Sequence, residues 1–392
     1  MRFPRRSKIV LVTASILMLS ASLNASEFPT YLGDPYAAND RYMQSSFGPE
    51  DQMDSYSAPE PSMPLVLRRG LSQAASYLRK QNPNLTVAKL GANIPNRVLA
   101  QTLNHLLNWN GTIEPDSLHQ EFDLVAISNH ANTTSKFTGY YTPIIQASAK
   151  PSAQFRYPIY RSPMAGSLRL LNREAITRGA LKNKRLEIAW TNDPVGLFYM
   201  QIQGSGILQY SDGRRTALHF DGSNEKPYRS IARYMQQKGY LKGNLGREKI
   251  QQWLHANPSH LKQVLNSNPR YVFFRPEAKG VLTASGLPII PGHSIAVDTN
   301  YIPFGSVVLA EVPIINSRGQ RQGAEWKLLL PQDRGAAIKG PGRMDIYTGK
   351  GEDARQIANQ LTGQGRAYML VKRGQTRLSQ GQARSLNLAS AQ

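Results

Sequence analysis

The sequence predicts a mainly β protein with flanking helices, and three observations carry that reading. From Ser135 to Thr216, and again from Tyr271 onward, β-branched and aromatic residues alternate between Gly, Pro and Asn turns, the texture of short barrel or sandwich strands. Before and between those stretches, apolar residues recur at helical spacing. At 392 residues with 40% hydrophobic content, the chain is long enough to hold two domains. The order of textures suggests a β-rich domain inserted between helices and a second barrel.

In chain order, Arg2, Arg5, Arg6 and Lys8 form a basic start, Ile9 to Ala21 is largely apolar, and ASLNAS offers a cleavage point after Ala25. Residues 1–25 therefore read as a secretory signal whose apolar run is too short for a comfortable membrane span, with an uncleaved anchor as the alternative. Residues 26–62 are polar and rich in Pro, Ser, Tyr and Asp, and read as a flexible leader. Leu67, Leu71, Ala74, Ala75 and Leu78 mark a helix over Leu65–Arg79. A second runs over Arg97–Leu107, with Pro95 near its start and Asn110-Gly111 as its stop. Strand pieces follow in FTGYYTPIIQAS, FRYPIYRSP and VGLFYMQIQGSG. Helices return over Arg229–Gly239 and Arg247–Ala256, and Ser259 is expected to cap a third that Asn268-Pro269 ends. YVFF, PIIPGHSIAVD, GSVVLAEVPII, WKLLL and RMDIY then read as strands, Glu352–Leu361 as a helix and AYMLVK as a last strand. The Gln-, Ser- and Arg-rich tail, 374–392, reads as disordered.

Charge narrows the partners. Lys plus Arg less Asp plus Glu gives 47 − 26 = +21, which favours nucleic acid, an anionic membrane surface or an acidic cell wall. Zinc-finger spacing, a basic zipper and an RNP aromatic motif are all missing from the sequence, so nucleic acid is not expected. With no cysteine, disulfides and thiolate chemistry are excluded. The seven histidines show no metal-ligand spacing. GKGEDA at 349–354 fits a relaxed dinucleotide fingerprint, but the acidic residue wanted about twenty positions on is replaced by LVKRG. Neither a metal nor an organic cofactor is expected.

The stretch that organises the chemistry is KLLLPQDRGAAIKGPGRMDIYTGKG, from Lys327 to Gly351. Leu328, Leu329 and Leu330 read as a buried strand, and a turn-rich segment holds Asp333, Gly335 and Lys339. The chain returns as Arg343-Met344-Asp345-Ile346-Tyr347, where period-2 alternation turns Asp345 and Tyr347 away from the apolar face. A carboxylate on a strand beside a glycine-rich loop can act as a proton donor. Most aspartates near glycines are instead turn formers or surface charges, and composition alone favours that reading.

Four motifs in order, FTGYYTP (137–143), QIQGSG (201–206), VDTNYIPFGS (297–306) and QDRGAAIKGPGRMDIYTGKG, resemble the MltA family of membrane-bound lytic murein transglycosylases. The resemblance covers the central and C-terminal chain and fades before about Asn110. It implies a double-psi β-barrel domain with a second, smaller β domain inserted and a glycan groove between them. The expected partition is 63–138 and 269–373 for the barrel with its N-terminal helices, and 139–268 for the insert with its connecting helices. By position it puts the catalytic acid/base at Asp345, supported by Asp333, Asp298 and Lys339. Thr138, Tyr140, Gln203, Gly204 and Ser205 become the sugar-binding candidates, with at least one of Tyr140 and Tyr141 expected to be structural. The missing cysteine departs from the family's usual lipoprotein form, so the expected location is the periplasm, with outer-membrane association open through the basic surface or the uncleaved signal.

One acid suffices for the implied reaction. A muramic sugar's own C6 hydroxyl can replace water, so a single aspartic acid could protonate the glycosidic oxygen and then take the hydroxyl proton; ordinary glycosidases need two carboxylates. The expected product is a 1,6-anhydro sugar from cleavage between MurNAc and GlcNAc. The expected partners are glycan strands of peptidoglycan, with wall-synthesis proteins as further candidates. Three rivals stay open: a water-using muramidase, a non-catalytic expansin-like wall binder, and a basic protein that merely coats anionic polymers.

Overall fold

The computed structural model describes residues 63–87, 94–127, 134–243, 245–316 and 320–375. The expected signal, leader and all but the first two residues of the tail lie outside them. Two helices, α1 (Leu65–Leu78) and α2 (Asn96–Leu107), lead into strands β1 (Phe122–Ala126) and β2 (Thr134–Thr142). Then come β3 (Ile144–Ser148), β4 (Tyr157–Tyr160), β5 (Glu187–Thr191), α3 (Pro194–Gln203), β6 (Gly206–Tyr210) and β7 (Arg215–Ser223). Helices α4 (Ile231–Gln237), α5 (Arg247–Ala256) and α6 (Leu261–Asn266) precede β8 (Val272–Glu277). The last part holds β9 (Ser294–Ala296), β10 (Val308–Ile315), β11 (Arg321–Asp333), β12 (Arg343–Lys350), α7 (Gly351–Gln360) and β13 (Thr362–Lys372).

The first sheet runs β1-β13-β10-β11-β9-β12-β2, and β13 pairs with β2 as well, so six of the strands close on themselves. Length makes the closure work. Thr362–Arg366 of β13 pairs with β2, Ala367–Met369 with β10, and Tyr368–Lys372 with β1. Closure gives each of these six strands a hydrogen-bonded neighbour on both sides over part of its length. Leu328, Leu329, Leu330, Met344, Met369 and Leu370 are at 0% exposure in one continuous core, which the two faces of the barrel strands share with the apolar stripes of α1 and α2.

The second sheet runs β4-β5-β3-β6-β7-β8 and has its own core around Leu208, Leu218, Ile159 and Phe274. This pairing corrects the expected boundaries at 139 and 268. Residues 139–142 finish barrel strand β2, while Val272–Glu277 pairs with β7 and belongs to the insert. The likeness of YVFF to the strands after it conceals that it hydrogen-bonds to the earlier domain.

Three local expectations are also corrected. VGLFYMQIQ is a helix: Asp193 accepts from the Val195 and Gly196 N–H groups, Pro194 takes the first position, and Gly204 ends it at φ +80°. Ser259 lies inside a short 3₁₀ turn, Pro258–His260, and α6 has no side-chain cap. Of PIIPGHSIAVD only Ser294–Ala296 is strand, because two prolines and a glycine occupy the approach to it. Among the described residues no helix is long and apolar enough to cross a membrane.

Candidate active site

Four neighbouring barrel strands carry one row of residues. Asp333 at the end of β11 pairs with Ala296 of β9, Ala296 pairs with Asp345 of β12, and Asp345 pairs with Thr138 of β2. Neighbouring strands lie about 4.8 Å apart, so the two aspartates stand roughly 10 Å apart at the backbone. Between them is a residue with only a methyl side chain. The barrel register thus brings two carboxylates towards each other across a small gap.

Asp345 follows the alternation expected of β12: it is partly buried between the fully buried Met344 and Ile346. Thr138 donates its hydroxyl proton to Asp345 Oδ1, and the same hydroxyl oxygen accepts from Arg343 Nη2 at 2.8 Å. Arg343 therefore fixes the direction in which Thr138 donates. Among the described residues Oδ2 of Asp345 has no such partner, which leaves it as the oxygen to carry a proton. Burial raises the Asp345 pKa above its ordinary value; the Thr138 hydrogen bond and the Arg343 charge oppose that, and the Asp333 charge reinforces it.

Asp333 is held by three donors. Its Oδ1 accepts from the Ala284 and Arg334 N–H groups, at 3.0 and 2.9 Å, and its Oδ2 accepts from the Tyr140 hydroxyl at 2.9 Å. Burial raises its pKa too, while those donors favour the charged form. Asp345 has one donor against three for Asp333, so Asp345 is the member of the pair better suited to keep a proton. Burial and the hydrogen bond to Asp333 push the Tyr140 hydroxyl up, so it stays a donor.

Asp298 does something else. Its Oδ1 accepts from the backbone N–H and side-chain amide of Asn300, and its Oδ2 from the Gly340 N–H at 3.0 Å. These bonds, with Lys339 adding its charge, hold its carboxyl below the usual range. Asp298 clamps the 334–342 loop that leads into Arg343, and the like charge acting on Asp345 is that of Asp333. Lys339 is exposed and serves Asp298; the cation acting on Asp345 is Arg343.

The sugar-binding candidates divide. Thr138 has its hydroxyl committed to Asp345 and Arg343. Tyr140 has its hydroxyl on Asp333 and its ring against Tyr347, with centroids 5.3 Å apart. Tyr141, at 3% exposure, is the structural member of the pair. Tyr347 is also buried, contrary to its expected outward position, because Ile207, Val281, Ile289 and Tyr140 cover that face of β12. Gln203, Gly204 and Ser205 form the turn from α3 into β6 and are partly exposed. Gly206 pairs with Leu218, which places Ser205 at the same end of the insert sheet as His219. Asp333 acts electrostatically on His219, so this end of the insert faces the barrel carboxylates. Burial lowers the His219 pKa, and its Nδ1 is buried without a partner among the described residues.

Sequence reasoning missed His219 and the Tyr140–Asp333 bond. Neither leaves a local signal, since a lone histidine in a strand is usually structural. Arg343 was legible as two positions from Asp345 on the same strand face. Two cavities, of about 630 and 510 Å³, lie elsewhere, and neither is lined by Asp345, Asp333 or Asp298.

Comparison with known proteins adds a second line of evidence. Residues 136–275 match the MltA specific insert domain and residues 293–371 match the 3D domain. The chain is 36% identical over 247 residues to membrane-bound lytic murein transglycosylase A of Escherichia coli strain K12. That alignment spans 62% of this chain and 66% of the relative, just under two thirds of its length. It is 34% identical over 258 residues to the membrane-bound lytic murein transglycosylase A homolog of Buchnera aphidicola subsp. Schizaphis graminum, covering 64% of this chain and 69% of that one. In fold it is similar to the crystal structure of E. coli MltA with bound chitohexaose, with a TM-score of 0.67, 29% identity, and coverage of 82% of this chain and 93% of that one.

Proposed function

We infer the function from one premise: this chain belongs to the MltA family, whose named relatives are lytic murein transglycosylases. Its barrel and inserted domain are those of the family's solved structures, one of which holds a chito-oligosaccharide. The chain is accordingly a lytic transglycosylase that acts on peptidoglycan glycan strands.

Asp345 is the residue we assign to the chemistry, and the carrying observation is the row Asp333–Ala296–Asp345–Thr138. In the protonated state, Asp345 gives its Oδ2 proton to the glycosidic oxygen between MurNAc and GlcNAc as the C1–O bond breaks. The C6 hydroxyl of the same MurNAc attacks C1, and the Asp345 carboxylate takes its proton. The leaving GlcNAc gains a hydroxyl, MurNAc becomes a 1,6-anhydro sugar, and the acid returns to its starting state without water. Asp333 acts through its charge, Thr138 and Arg343 hold Oδ1, and Tyr140 holds Asp333. The turn Gln203-Gly204-Ser205 is the insert's contribution to the sugar-binding face. We assign work at the murein layer of the periplasm, in keeping with relatives named membrane-bound; peripheral contact with the outer membrane belongs to the same proposal.

Digestion of purified murein sacculi, followed by mass analysis of the fragments, tests this. Anhydro ends, lighter by one water than hydrolysed ends, are expected from the wild type and not from Asp345→Asn. Hydrolysed ends would make the protein a muramidase, and unchanged cleavage by Asp345→Asn would move the chemistry to another residue.

A further inference from the structure

We propose that the cavity between α5, α7 and the start of β3 is a second binding site, for the terminal carboxylate of a short aliphatic peptide. This cavity, of about 510 Å³, is lined by Tyr141, Pro143, Ile144, Ile145, Arg247 and Arg355, among others. It lies away from the carboxylate row. Gly351 at its wall is six residues beyond Asp345, roughly 20 Å along an extended strand, and Tyr141 lies on the opposite face of β2 from Tyr140.

Arg247 is the observation that demands a ligand. Its guanidinium is sandwiched against two rings, 4.0 Å from the Tyr199 centroid and 5.2 Å from that of Tyr141. Its Nε and Nη1 are buried, and among the described residues the group makes no hydrogen bond or ion pair. Burial lowers its pKa to about 9. Buried guanidinium N–H groups are ordinarily matched by carboxylates or carbonyls; the Glu352 charge acts on Arg247, but its buried Nε and Nη1 have no acceptor of their own among the described residues. Arg355 adds a buried, unpartnered Nη1, although its Nε and Nη2 both donate to the Glu352 carboxylate, the former at 2.8 Å. Two helix N-termini open on the same space without side-chain caps, those of α5 and α7, and both favour an anion.

The lining also sets the kind of anion. Glu248, Glu352 and Asp193 stand in the same wall, Asp193 with its Oδ1 already accepting from the first N–H groups of α3, and this acidic lining opposes a dianion such as phosphate more than a single negative charge. Pro143, Ile144 and Ile145 offer an aliphatic face, and Gln251 and Gln252 offer amides to a peptide group. The volume lies within the range of small-ligand pockets.

Isothermal titration calorimetry of the full chain separates the outcomes, using N-acetyl-alanyl-alanine, its C-terminal amide and inorganic phosphate as probes. The acid should bind at least about tenfold tighter than the amide and than phosphate, in line with one charge-assisted hydrogen bond to a buried cation. Arg247→Gln should lose that preference while cleaving murein as the wild type does. Gln252→Glu, at an exposed position, should weaken the acid and spare the amide even if Arg247→Gln folds poorly. Equal binding of acid and amide, tighter binding of phosphate, or an unaltered preference in Gln252→Glu would overturn the proposal. The readout is binding, so it stands apart from whatever murein digestion shows.

Discussion

Asp345 and Asp333 are both pushed towards the protonated form by burial, and the number of donors around each separates them. General acid–base groups contribute roughly 10²- to 10⁴-fold, so Asp345→Asn should lower kcat by that order while murein binding persists. The same substitution should raise thermal stability at pH 8. A carboxyl whose folded pKa lies above its unfolded value stabilises the native state fully below the unfolded pKa, and that stability is lost as pH rises through the folded pKa. At pH 8 the wild type must keep a desolvated charge that asparagine does not have. The melting-temperature gain should shrink towards zero near pH 4, and a gain that grew on acidification would contradict a raised pKa. Thr138→Val removes the donor to Oδ1. It should lower kcat about tenfold, the worth of one hydrogen bond to a charged group, and shift the alkaline limb of the kcat–pH profile upward. Thr138→Ser should restore both, which a merely structural role would not require.

Strand β2 sets the geometry of the carboxylate row because its two faces do different work. Thr138 and Tyr140 point to the carboxylates, and Gly139 between them lies against α7. A Cβ on Gly139 would meet the Ala358 backbone, with Cα at 2.7 Å and the carbonyl oxygen at 3.1 Å. Backbone cannot rotate aside as a side chain can, so Gly139→Ala should cost about 1–3 kcal/mol, measurable by urea unfolding. A loss below a few tenths would mean that α7 is free to shift away from β2. Legibility also divides at this scale. RMDIY showed its strand and the outward position of Asp345 through alternation, and α1, α2 and α5 showed theirs through apolar spacing. Helix α3 hid, because Val195 to Gln201 are all buried and an apolar run without a polar face has no period. Its signals were the Asp193-Pro194 start and the Gly204 stop, which say helix when the interior says nothing. Two site contacts were beyond local reading: Thr138 and Asp345 are 207 positions apart, and Tyr140 and Asp333 are 193 apart. Only barrel register joins them.

At the scale of the whole molecule, the net charge of +21 and the carboxylate row act over different distances. The row is a set of contacts a few ångströms long inside a partly desolvated site, where salt has little effect. The net charge acts through solvent, with a reach of about 10 Å at 0.1 M salt and about 3 Å at 1 M. Murein is an anionic polymer, so the surface charge should govern capture of the sacculus and leave the bond-breaking step alone. Raising NaCl from about 0.1 M to about 1 M should therefore raise KM on sacculi and leave kcat nearly constant. Steady-state release of soluble fragments, at saturating and at limiting murein, measures the two separately. A protein that merely coats anionic polymers would lose its binding over the same range with no turnover at any salt. A kcat that fell in step with binding would instead mean that long-range charge takes part in the chemical step, which a compact network of Asp345, Asp333, Thr138 and Arg343 does not allow.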